Sequence, residues 1–126
     1  MKILVVDDSA AIRGRIVTLL RDVDGVSGVI EAEEAVAALE LLRSERPDLV
    51  ILDLNLVGQS GLEILPRLKA ILRAPVVVVL TNHSGDAYER RCRQLGADHF
   101  FDKSAQFEKA IDVVRAAIGG RRQPTR

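Results

Sequence analysis

A single cysteine, Cys92, is all this chain offers for sulfur chemistry. One thiol cannot close an internal disulfide, and with no Cys or His beside it at ligand spacing there is no zinc motif. The two histidines, His83 and His99, stand apart from each other and read as surface or loop residues rather than metal ligands. An excess of charge of either sign is missing as well, since 18 Lys and Arg balance 18 Asp and Glu. No global basic field draws the chain to nucleic acid or to an anionic membrane, so any partner must be recognised locally. Long apolar runs are also absent. The longest uncharged stretch in the middle of the chain, APVVVVLTN (Ala74 to Asn82), falls far short of the roughly 18 apolar residues that cross a bilayer. A secretory leader needs a charged start followed by about 7–15 apolar residues, and here the first apolar run stops at Asp7. A cytoplasmic location is the expectation.

What is present points to one folded domain. Hydrophobic residues make up 48% of 126 residues against 29% charged, enough to build a core in a chain of single-domain size. Five β-branched runs, KILVV, VSGVIE, DLVILD, PVVVVLT and DHFFD, alternate with five helix-like segments. That alternation predicts an α/β fold with a parallel sheet covered by helices on both faces. DLVILD and PVVVVLT are apolar throughout, as strands buried on both sides should be, and belong in the middle of the sheet. Helical spacing marks one apolar face at Ile12, Ile16, Leu19, Leu20 and Val23, another at Ile64, Leu65, Leu68, Ile71 and Leu72, and a last one at Phe107, Ile111, Val114 and Ile118. Ser9, Ser60 and Ser84 stand where they would cap the first, third and fourth helices, and Pro47 and Pro75 open the approach to strands. Gly119-Gly120 is expected to end the last helix. The domain therefore spans 1–118, with 119–126 a flexible tail or linker stub.

Polar residues then collect at the carboxyl ends of the strands. Asp7 and Asp8 follow the first strand, Asp53 closes the third, Thr81 the fourth, and Lys103 lies just past the fifth. In an open doubly wound sheet, ligands bind outside the carboxyl ends at the point where strand order reverses. With the flavodoxin-like order 2-1-3-4-5, that crevice opens between the first and third strands, flanked by Asp8 and Asp53. Neighbouring strands lie about 4.8 Å apart, so three carboxylates from two strand ends would converge and repel unless protonated or bridged by a cation. Oxygen-only ligands at a site open to water suit Mg²⁺. With Lys103 and the Thr81 hydroxyl nearby, such a site can bind a phosphoryl group, and a spare carboxylate can accept it.

The motifs VVDDS, VILDLNLVGQSGLEIL, VVVLTN and GADHFFDKS, in that order and at these spacings, resemble the receiver domain of bacterial two-component response regulators over about residues 2 to 118. The resemblance implies a flavodoxin-like (βα)5 sandwich and a phosphoryl-accepting switch rather than an enzyme with a separate substrate. It makes Asp53 the phosphoacceptor, with Asp8, and Asp7 through water, holding Mg²⁺. The backbone carbonyl of Asn55 would supply a further ligand, and Thr81 and Lys103 would contact phosphoryl oxygens. Phe100 occupies the position of the family's switch aromatic. The implied phosphodonor is a histidine kinase or histidine phosphotransferase. A downstream protein would engage the surface of the fourth helix, fifth strand and fifth helix, where Arg90, Arg91 and Arg93 are candidate contacts. Three positions depart from the usual pattern: Ser104 follows the lysine where proline is common, Asn82 replaces a small residue after Thr81, and Val57 stands where the Asp53 loop often carries proline.

Other readings compete with this one. A relay intermediate that passes the phosphoryl group to another histidine protein would use the same site. A Mg²⁺-dependent phosphohydrolase similar to the haloacid dehalogenases would need a second aspartate two residues past the nucleophile, where this chain has Asn55. A flavodoxin would place its flavin phosphate where Asp7 and Asp8 put negative charge. Nothing after Ile118 has the length of an output module, so the expectation is a stand-alone receiver, like the chemotaxis regulators, or a receiver cut from a longer chain.

Overall fold

Apolar runs form five strands, β1 (Lys2–Val6), β2 (Gly28–Ala32), β3 (Leu49–Leu52), β4 (Val76–Thr81) and β5 (His99–Asp102). They alternate with α1 (Ala10–Arg21), α2 (Ala35–Glu45), α3 (Gly61–Lys69), α4 (Asp86–Gln94) and α5 (Phe107–Arg122). This computed structural model describes residues 1–56, 59–82 and 85–122, the side chains of 121 and 122 excepted. All pairings are parallel and the order is β2-β1-β3-β4-β5, the flavodoxin-like arrangement expected of the sequence. The apolar run of β3 is central, between β1 and β4.

Side chains of a strand point alternately to opposite faces, so each apolar strand supplies two cores. Ile3, Val5, Ile51, Val78 and Leu80 meet Ile16 and Leu20 of α1 and Phe107, Ile111, Val114 and Ile118 of α5. Leu4, Val6, Val50, Leu52, Val77 and Val79 face the other way, against Leu39 and Leu42 of α2, Ile64, Leu65 and Leu68 of α3 and Cys92 of α4. Complete burial of each such Leu or Ile contributes about 1.5–3 kcal/mol, and this burial, not helix propensity, holds the short helices in place.

Helix starts follow the expected chemistry where they are described. The Ser9 hydroxyl accepts from the backbone N–H of Ile12 at 3.2 Å, and the Ser60 hydroxyl from that of Leu62 at 3.1 Å. Ser84, like Val57 and His83, lies outside the described residues, and the N-cap position of α4 is Gly85. Two helix ends correct the sequence reading. Helix α3 stops at Lys69, so Ile71 and Leu72 do not join its buried face, and Leu72 is 92% exposed. The chain must turn back there to reach β4, and Arg73 takes a left-handed φ of 58° in that turn. Helix α5 continues through Gly119 and Gly120 to Arg122. Glycine costs a helix only about 1 kcal/mol relative to alanine, and neither residue adopts the positive φ that a glycine stop requires.

Candidate functional site at the carboxyl edge of the sheet

Register builds the site. Val6 of β1 pairs with Leu52 of β3, so the residues that follow them, Asp7 and Asp53, emerge side by side. The pairing extends one step further, with the Asp53 N–H donating to the Val6 carbonyl at 2.9 Å and the Asp7 N–H to Ala32 at 3.1 Å. Asp7 and Asp53 are buried and Asp8 is exposed, yet the three offer carboxylate oxygens that all lie within 4.8 Å of one another. Lys103 reaches in from the end of β5. Its Nζ stands 2.7 Å from Oδ2 of Asp7 and 2.7 Å from Oδ2 of Asp53, with the lysine side chain only 10% exposed.

The charges in this cluster do not balance, for three carboxylates face one ammonium. Burial pushes the Asp7 carboxyl above its ordinary range; its bonds to Lys103 and to the Ser9 N–H oppose the rise, and the neighbouring Asp53 charge adds to it. Burial also works against the charged form of Lys103, but its hydrogen bonds and attraction to Asp53 and Asp7 prevail and raise its pKa above the ordinary lysine range. The lysine is thus a fixed positive charge at neutral pH.

Both oxygens of Asp7 are engaged, Oδ1 by the Ser9 N–H at 2.8 Å and Oδ2 by Lys103. Asp53 is similarly tied, Oδ1 by the Asn55 N–H at 3.2 Å and Oδ2 by Lys103. The Asp8 carboxylate has no hydrogen bond or ion pair among the described residues. It lines an open pocket of about 290 Å³ together with Asp53, Asn55, Asn82, Lys103 and Ile12. A free carboxylate, two partly neutralised ones and access to water fit a hard divalent cation, whose charge would offset the repulsion among the three.

Other expected site residues fall at different depths. Thr81 ends β4 and is fully buried, its carbonyl accepting from the Lys103 N–H at 2.8 Å, while Asn82 is exposed. Phe100 is buried in the core cluster that holds Leu65, Leu68 and Val79. Phe101 points to the opposite face of the sheet and stacks on His99 with ring centroids 6.1 Å apart. On α4, Arg90, Arg91 and Arg93 are exposed, and Arg93 pairs with Glu89 at 3.1 Å.

Two supporting residues escaped the sequence reading. Arg13 of α1 donates from Nη1 to the Asp7 carbonyl at 2.6 Å and from Nε to Glu31 at 3.2 Å, gripping the peptide that joins the two aspartates. Nothing in its local spacing marks it, because Glu31 arrives from β2. Gly61 begins α3 against the backbone of Asp53 and Leu54, and its N–H donates to the Leu54 carbonyl at 2.7 Å. The pair Ser60-Gly61 in the motif QSGLEIL was the available signal, a cap followed by a residue without a Cβ.

Comparison with known proteins identifies relatives of the chain and of its fold. The family model described as the response regulator receiver domain matches residues 3–115. The response regulator GacA of Pseudomonas aeruginosa is 33% identical over 122 residues, which cover 97% of this chain and 57% of that protein. The chain thus spans about half the length of the curated relatives it matches. Among solved structures, the signal receiver domain of the DNA binding response regulator protein merR from Colwellia psychrerythraea 34H superposes with a TM-score of 0.87 at 25% identity, covering 94% of this chain and 98% of that one. A response regulator protein from Burkholderia pseudomallei, solved with a phosphorylated aspartic acid, calcium ion and citrate, shares the fold with a TM-score of 0.79 at 24% identity, covering 99% and 76%.

Proposed function

The chain belongs to the response regulator receiver domain family of two-component systems, and on that premise we propose that residues 1–118 form a receiver that accepts a phosphoryl group on Asp53. The donor would be the phosphohistidine of a histidine kinase or histidine phosphotransferase. A carboxylate oxygen of Asp53 attacks phosphorus in line, the P–N bond breaks as the O–P bond forms, and the imidazole leaves. Water later hydrolyses the acyl phosphate. Asp8, whose carboxylate has no partner among the described residues, would bind Mg²⁺ directly, Asp7 through water, and Asp53 and the Asn55 carbonyl would complete the protein ligands. When bound, Mg²⁺ supplies neutralisation of charge on the transferring phosphoryl oxygens.

The chain's own residues do the rest. Lys103 already spans Asp7 and Asp53, and on phosphorylation its ammonium would turn to a phosphoryl oxygen of the modified Asp53. Thr81 would donate its hydroxyl to another, and the inward shift of Thr81 would change the packing of Phe100 and with it the surface of α4, β5 and α5, biasing a two-state equilibrium. The exposed Arg90, Arg91 and Arg93 on that face are candidate contacts for a downstream protein, and the site's location is proposed as cytoplasmic. The observation that carries this reading is that the Asp8 carboxylate, without a partner among the described residues, lies within 4.8 Å of the Lys103-bridged carboxylates of Asp7 and Asp53 beside an open pocket. Acetyl phosphate with Mg²⁺ should label the protein with an acid-labile phosphoryl group that Asp53→Asn abolishes. Persistent labelling of that variant would overturn the assignment.

A further inference from the structure

Lys103 stands on the loop that follows β5, and neighbouring side chains tie that loop down. Where receiver domains commonly place proline after the lysine, this chain has Ser104, and the Lys103–Ser104 peptide is trans. No ring restrains the backbone there. Instead, Oδ1 of Asp102 accepts three hydrogen bonds, from the Ser104 N–H at 2.8 Å, the Ser104 hydroxyl at 2.7 Å and the Ala105 N–H at 3.0 Å. Gln106 closes the loop from the other side. Its side-chain carbonyl accepts from the Asp102 N–H at 3.0 Å, while its own N–H donates to the Asp102 carbonyl at 2.8 Å. Both neighbours of Lys103 are therefore fixed, and its own N–H is held by Thr81.

A lysine stem has four rotatable bonds, and its ammonium can be presented to two buried carboxylates only if its root does not wander. We propose that Asp102 and Gln106 are positioning residues that replace the absent proline and aim the Lys103 ammonium at Asp53. The inference rests on the phosphoryl-acceptor reading and deepens it by saying what orients the lysine in this particular chain. Geometry and charge can be told apart. Asp102→Asn keeps the Oδ1 acceptor and removes the negative charge beside Lys103, whereas Asp102→Ala removes both.

The test compares wild type, Asp102→Ala, Asp102→Asn and Gln106→Ala by titration calorimetry, first with Mg²⁺ and then with beryllofluoride at saturating Mg²⁺. Lysine acylation by acetic anhydride, read by mass spectrometry at Lys103 in the unliganded proteins, supplies a second measurement. Asp102→Ala should leave the Mg²⁺ affinity within about twofold, weaken beryllofluoride about tenfold, as loss of one well-aimed charged hydrogen bond does, and speed acylation of Lys103. Asp102→Asn should restore most of both, and Gln106→Ala should fall between. The proposal is overturned if Asp102→Ala leaves Lys103 acylation unchanged, if Mg²⁺ and beryllofluoride weaken together, or if Asp102→Asn behaves like Asp102→Ala. Failure of wild type to bind beryllofluoride would refute the phosphoryl-acceptor reading instead, and the acylation result would still decide whether the loop positions Lys103.

Discussion

Gly61 lies so close to Asp53 that a Cβ built on it would stand 2.5 Å from the Asp53 carbonyl oxygen and 2.7 Å from Cα of Leu54. Both atoms are backbone and cannot swing aside. Gly61→Ala must therefore push the start of α3 away from the end of β3, moving the residue proposed to accept the phosphoryl group. Overpacking against rigid backbone costs about 1–3 kcal/mol. The expected result is a lower urea midpoint together with weaker beryllofluoride binding. A variant with wild-type stability and binding would show that this contact is not rigid.

Arg13 holds the carbonyl of Asp7 and so sets the direction in which the next residue, Asp8, leaves the strand. Because Glu31 already pairs with the guanidinium, the arginine orients the peptide more than it adds field to the site. Arg13→Gln keeps a donor but cannot bridge both partners. We expect Mg²⁺ affinity to fall several-fold by calorimetry, with a loss of stability near 1 kcal/mol, the usual scale for one hydrogen bond.

Asp7 pays for its position in the absence of a cation. A carboxyl whose pKa rises on folding makes the native state less stable wherever it is ionised. Asp7→Asn removes that charge and leaves Lys103 in a one-to-one pair with Asp53. The metal-free variant should melt at a higher temperature than wild type, and its Mg²⁺ affinity should drop. A lower melting temperature would mean that the Lys103 bond to Asp7 outweighs the burial of the charge.

Asn82 is exposed on the rim of the pocket that holds Asp53. Its side chain should hinder the water that hydrolyses the acyl phosphate. Asn82→Ala is expected to shorten the phosphorylated lifetime, measured by loss of label after donor removal; an unchanged or longer lifetime would exclude shielding by this residue.

Cys92 is fully buried on α4, and burial, reinforced by the charge of Glu89, pushes its thiol up to about 11. Native protein should therefore resist thiol reagents at neutral pH and react only when unfolded. The sign of the pH effect follows from the same shift. The folded state holds the thiol proton more tightly than the unfolded chain, so this contribution to stability is intact below pH 9.0 and is lost as pH rises from 9.0 through about 11. In Cys92→Ala the denaturation midpoint should fall less over that range.

Much of this is legible in the sequence. Strand count, order of elements and the inner faces of α1 and α5 follow from apolar periodicity, which reports what must be buried. The end of α3 and the continuation of α5 through Gly119 and Gly120 are not, because local signals compete there with where the next element must begin. Ile71 and Leu72 keep the helical spacing of Leu68 but fall where the chain has already turned toward β4.

The sequence by itself determined which chemical groups are available and at which strand ends they stand, since a strand that runs from buried apolar residues into Asp7 or Asp53 can only deliver a carboxylate at the sheet edge. Which of those groups touch was decided by tertiary structure. Lys103 and Asp7 are 96 residues apart, and only parallel pairing in the order β2-β1-β3-β4-β5 brings that ammonium onto both carboxylates. The same holds for Arg13 with Glu31, because short-range physics governs each contact while long-range register chooses the partners.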